Sequence, residues 1–118
     1  MPSALLLTGD LMFVTKFNAA AQRAGVTAEV AMSLDDLWTK AAGDVSLVAI
    51  DLTMRRLDIA AVVARLRELP APPKTLLAFG PHVQTEALDA ARVAGCDLVL
   101  PRSQFDGHLD DLLRRYVV

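Results

Sequence analysis

The sequence predicts a doubly wound α/β sandwich, with five parallel strands in one sheet, order 2-1-3-4-5, and helices covering both faces. Short apolar runs alternate five times with stretches of helical period. Most of those stretches have the ~10 to 15 residues that a right-handed crossover between parallel strands needs. The third run, Val45-Ser46-Leu47-Val48-Ala49-Ile50, is apolar at five of six positions, four of them Val, Ile or Leu. That pattern fits a strand buried on both faces, the hallmark of a parallel sheet.

Each element has its own signal. Ser3 to Thr8 reads as the first strand. Phe13, Val14, Phe17, Ala20, Ala21 and Ala24 recur at helical spacing, and Gly25 supplies the stop. Thr27 to Met32 is more polar and suits a sheet edge. Ser33 is placed to cap a helix carrying Leu34, Leu37, Trp38 and Ala41 inward, closed by Gly43. After the third strand, Asp58 caps a helix with Ile59, Val62, Val63, Leu66 and Leu69 on its inner stripe. Pro70-Ala71-Pro72-Pro73 then forbids continuation. Thr75 to Phe79 is the fourth strand, broken by Gly80-Pro81, and Glu86 to Ala94 the next helix. Leu98, Val99 and Leu100 form a short fifth strand. A single final helix is expected over Phe105 to Tyr116, with Leu109, Leu112 and Leu113 inward.

The chain of 118 residues reads as one domain, residues 1–118, with no repeats or linkers. Hydrophobic residues make up 53% and charged residues 22%, a globular balance rather than a disordered one. The net charge of -2 supplies no basic face for nucleic acid. Arg55-Arg56 and Arg114-Arg115 read as solvated surface pairs. Cys96 is the only cysteine, which excludes an internal disulfide and a multi-cysteine metal site. No signal-like or membrane-spanning run is visible, so a soluble cytoplasmic protein is expected. The chain ends soon after its last amphipathic stretch, so no attached effector domain is expected, and output would pass through a partner or through the domain's own chemistry. No G-x-G-x-x-G or G-x-x-x-x-G-K-[ST] loop follows the first strand, which argues against dinucleotide and P-loop nucleotide binding.

Asp51 closes the most apolar strand of the chain. A carboxylate there must emerge at the sheet edge or find partners, because a buried unpaired charge is costly. The carboxyl ends of parallel strands are also where ligands collect. Asp51 is therefore the first functional candidate.

With the run Ala49-Ile50-Asp51-Leu52-Thr53-Met54, the chain resembles the receiver domains of two-component response regulators over nearly its whole length. Receivers place a phospho-accepting aspartate at the end of the third strand and a methionine three residues beyond it. Asp58 falls where they often have an aspartate, although Ile59 stands where a glycine usually follows. Gly95-Cys96-Asp97-Leu98-Val99-Leu100-Pro101-Arg102 matches their glycine, short strand and later lysine, with Arg102 at the lysine position.

The departures are equally clear. Receivers carry two adjacent acids after the first strand, and this chain has Thr8-Gly9-Asp10, leaving only Asp10. The hydroxyl residue at the end of the fourth strand is replaced by Phe79-Gly80, and the aromatic switch residue by Val99. The resemblance implies a flavodoxin-like fold and a diverged or pseudo-receiver, with Asp51 as candidate acceptor. It implies a phosphate pocket of Thr53, Gly80 and Arg102. A magnesium ion would be held by Asp10, Asp51 and the carbonyl of Thr53. Arg102 keeps a cation near Asp51, suited to a permanent salt bridge or to a phosphate-sensing contact, while Arg55 or Arg56 could fold over the pocket and replace the metal's charge; exposed loop arginines are the plainer alternative.

The function expected is a stand-alone, non-enzymatic signalling or scaffold module with degenerate phosphorylation chemistry. Its contact surface would include Leu98 to Phe105 and the outer side of the final helix, with Arg114, Arg115 and Tyr116 at the rim. The alternative is a working receiver that takes a phosphoryl group on Asp51, with Mg²⁺, from a histidine kinase or phosphotransfer protein. A small hydrolase or transferase using Asp51, Asp10 and His82 ranks third, since a lone loop histidine is more often a surface residue. His108, Ser103 and Cys96 read as residues without chemistry. Neither membrane nor nucleic acid is an expected partner, and homodimer formation is left open.

Overall fold

Three strands of this protein are almost wholly buried and two are only partly so, as their places in the sheet require. The computed structural model describes residues 1–118. Strands β1 (Ser3–Leu7), β3 (Val45–Asp51) and β4 (Thr75–Gly80) lie at the centre, where helices cover both faces. The edges are β2 (Thr27–Ala31) and β5 (Leu98–Pro101). All neighbours pair parallel, in the order β2-β1-β3-β4-β5. Every residue of β3 is buried, whereas all four of β5 are half-buried.

The alternation of side chains along the strands divides the core in two. Leu5, Leu7, Val48, Ile50, Leu76 and Ala78 face α2 (Leu34–Ala41), α3 (Ile59–Arg67) and α4 (Thr85–Ala94). Ala4, Leu6, Leu47, Ala49, Leu77 and Phe79 face α1 (Leu11–Ala24) and the C-terminal helices.

Helix ends follow local chemistry. The side chains of Asp10, Ser33 and Asp58 accept from the first-turn amides of Met12, Asp36 and Ala61. Gly25 and Gly95 end α1 and α4 at φ 70° and 99°, a left-handed turn that few other residues adopt without strain. Trp38 lies half-buried at the margin of the core, with the Arg65 guanidinium 4.1 Å from its ring centroid.

The expected single final helix is two. α5 (Arg102–Gly107) starts directly after Pro101, and α6 (Leu109–Tyr116) follows a break at His108, whose φ and ψ are -122° and 21°. Gly107 weakens the helix at this point, and Asp110 and Asp111 favour a fresh N-terminus beside them. Leu109 and Leu113 are buried as expected, while Leu112 is only half-buried.

Candidate functional site

Register builds the site. Leu7 lies opposite Ile50, and Asp51 opposite Phe79, so the residue after β1 arrives beside the last residue of β3. That residue is Thr8, completely buried. Asp51 is 4% exposed, and its two carboxylate oxygens receive three donors. Thr8 Oγ1 donates to Oδ2 at 2.7 Å, while Thr53 donates to Oδ1 through its amide at 2.9 Å and its hydroxyl at 2.7 Å. Hydrogen bonds to the charged form make its burial tolerable. None of the ion pairs in the protein includes Asp51.

Asp10 is the second acid of the same pocket. As the cap of α1, it accepts from Met12 N through Oδ1 at 2.9 Å. Its own amide donates to Thr8 Oγ1 at 3.1 Å, so one hydroxyl ties the start of α1 to Asp51. Arg102 Nη2 donates to Asp10 Oδ2 at 2.8 Å. The Asp51–Arg102 salt bridge that the sequence allowed is not formed. The guanidinium sits instead over Phe13, 4.4 Å from its ring centroid, and binds the helix cap rather than the strand end. Phe13 is seated by Phe79 and Phe105, which stack on each other at 4.0 Å.

A cavity of about 280 Å³ opens onto Asp51, lined by Gly9, Asp10, Asp51, Thr53, Met54 and Arg55. Of the residues singled out in the sequence, Asp51, Asp10 and Thr53 meet here, and Arg55 joins them. Arg56 does not line it; its backbone takes the left-handed conformation, φ 57°, in the turn before α3. Gly80 and Arg102 lie outside the lining. A side chain at Gly80 would meet Leu52 and Leu88, on the α4 side of the sheet. His82 lines a different hollow of about 350 Å³ with Pro81, Arg102, Ser103 and Asp106. The Asp51–Asp10–His82 grouping imagined for a hydrolase is therefore not assembled in one pocket.

Thr8 is the residue that sequence reasoning missed. The signal available was a hydroxyl ending an otherwise apolar strand next to the acid-bearing one. Cys96, by contrast, has no part in the pocket. Burial pushes its thiol up to about 11, with Asp97 adding to the rise and Arg67 opposing it. A protonated thiol is a poor nucleophile, in keeping with a passive side chain.

No protein-family model matches the sequence, and no curated protein matches it. Solved structures do. A response regulator signal receiver domain from Bermanella marisrubri superposes with a TM-score of 0.80 at 20% identity, covering 98% of each chain. The chain has the receiver fold. The receiver domain of a sensor histidine kinase from Pseudomonas aeruginosa gives a TM-score of 0.81 at 14% identity over 98% of this chain and 96% of that one. That structure holds a magnesium ion in its active site cleft. A response regulator from Burkholderia pseudomallei, with a phosphorylated aspartic acid and a calcium ion, gives 0.76 at 14% identity, covering all of this chain and 67% of that one.

A magnesium ion is chemically possible in the pocket, through Asp10, Asp51 and the Thr53 carbonyl, and would supply charge neutralisation there. The donors are nevertheless engaged. Every carboxylate oxygen of the two acids already accepts a hydrogen bond. No group of three or more His, Cys, Asp or Glu side chains is arranged so that it could hold a metal ion. No helix is long and apolar enough to cross a membrane.

Proposed function

We propose that this chain is a receiver-like signalling module that works through protein–protein contacts, with its phosphorylation chemistry degenerate. The observation that carries this reading is the state of Asp51. The acid that would accept a phosphoryl group is buried and held by two threonine hydroxyls and an amide. Attack on a phosphoryl donor needs a carboxylate oxygen free to approach it and a cation to neutralise the moving charge. Here Arg102, the residue at the receiver lysine position, is bound to Asp10.

The parts that would carry a switch are also absent from their places. Gly80 has no hydroxyl, and Val99 packs against the apolar core instead of offering an aromatic ring that can turn. The contact surface assigned to the module is the β5–α5–α6 face. A groove of about 220 Å³ there exposes parts of Leu98, Leu100, Leu112 and Tyr116 beside Arg115. Its partner would be another signalling protein. No turnover chemistry is assigned to the chain.

A second reading, a phosphorylatable receiver served by a histidine kinase or phosphotransfer protein, is favoured by the cavity that opens onto Asp51. Intact-mass measurement after incubation with acetyl phosphate and Mg²⁺ separates the two. The proposed reading expects no phosphoryl adduct on the wild type. An adduct that disappears in Asp51→Asn would establish the second reading in its place.

A further inference from the structure

Asp10 is the one pocket carboxylate with a charged partner, and that partner is held from two sides. Arg102 Nη2 donates to Asp10 Oδ2 at 2.8 Å, and the guanidinium carbon lies 4.4 Å from the Phe13 centroid. Asp10 cannot turn away from this pair without giving up the bond from Met12 N that caps α1. Phe13 is fixed by Phe79 and Phe105, and Phe105 stands on the same short helix as Arg102. An arginine suits this post better than a lysine would, because a planar guanidinium can stack on a ring while donating from its edge.

We infer that Arg102 is a built-in counter-ion for Asp10 that a divalent cation must displace, so that cation entry into the Asp51 pocket releases the first residue of α5 from Phe13. A divalent ion bound through Asp10 would stand beside the guanidinium, and like charges at that distance repel. The two cations therefore compete for one carboxylate. Coupling of this kind is reciprocal: whatever holds Arg102 on Phe13 weakens the ion, and the ion loosens Arg102. Release would be felt along α5, because Phe105 is part of the aromatic stack under the guanidinium. The inference rests on the receiver-like reading only for the choice of a divalent cation as ligand. Its readout needs neither kinase nor phosphoryl donor, so the failure of either claim leaves the other to be judged alone.

The test is Mn²⁺ binding by the full chain, with free Mn²⁺ followed by electron paramagnetic resonance. Arg102→Gln and Arg102→Met remove the charge, and the methionine keeps an apolar stem over Phe13. Arg102 and Asp10 are 44% and 34% exposed, so both variants are expected to fold, which thermal melting checks. Loss of the guanidinium should tighten Mn²⁺ binding by roughly twofold to fivefold, the scale of one partly exposed ion pair. Asp10→Asn in the same background should remove the gain. An affinity that does not improve in a folded variant, or a gain that survives Asp10→Asn, overturns the inference.

Discussion

Thr8 and Thr53 together supply every hydrogen bond that the Asp51 carboxylate accepts. Thr8 has no exposed surface, and its hydroxyl both donates to Asp51 Oδ2 and accepts from the amide of Asp10. Thr8→Val keeps the side-chain shape while leaving a buried carboxylate oxygen without a donor. Urea denaturation of that variant should show a loss of about 1–3 kcal/mol, the range for an orphaned buried polar group. Thr8→Ser should recover most of it. A Thr8→Val variant as stable as the wild type would mean that the hydroxyl is dispensable to the buried acid. Asp51 itself was legible in the sequence, because a charge closing a strongly apolar strand has few physical explanations. Thr8 was not, because a hydroxyl after an apolar run reads equally well as the plain end of a strand. Nor could the choice of Arg102 between two acids be read from spacing. It depends on where Phe13 places a flat surface for the guanidinium, which is a matter of packing across three elements.

The elements were largely legible, and for identifiable reasons. Ser33 and Asp58 read as helix caps and bond first-turn amides in the structure; Asp10, read only as an acid of the site, caps α1 as well. Glycines ended α1 and α4 where the apolar stripe ran out. The C-terminal segment was the exception, since the stripe of Leu109, Leu112 and Leu113 gives no sign of the break at His108 or of a helix beginning at Arg102. α6 is fastened to α1 by Arg23, which donates to both oxygens of Asp110, each at 2.8 Å. Those hydrogen bonds hold the Asp110 carboxyl below its ordinary value. Desolvation opposes them, and the charges of Arg23 and Arg114 reinforce them. A folded pKa lowered in this way adds stability above the unfolded carboxylate pKa of about 4, and the contribution is lost as pH falls through the folded value. Melting temperature should therefore fall less steeply between about pH 5 and pH 3 in Asp110→Asn than in the wild type. Equal slopes would show that the bridge does not contribute to the linkage between α1 and α6.

At the scale of the molecule, the alternation of apolar runs and helical periods led to the observed sheet order, and the buried third strand led to its centre. Both follow from the need to cover a parallel sheet on two faces. Function was legible only as far as the fold carries it. The same framework accommodates a working phospho-switch or a contact module, and the difference lies in a handful of side chains at the carboxyl ends of three strands. Because Gly80 and Val99 lack the groups through which receivers sense a phosphoryl, the proposed reading expects no relay from the Asp51 pocket to the β5–α5–α6 face along β4 and β5. Beryllofluoride, a phosphoryl mimic, added with Mg²⁺ and followed by amide NMR shifts of the full chain, addresses this point directly. The account predicts that, when beryllofluoride is added, Val99, Leu112 and Tyr116 keep the positions they have with Mg²⁺ alone. Shifts that spread from Asp51 to those residues, and vanish in Asp51→Asn, would contradict it.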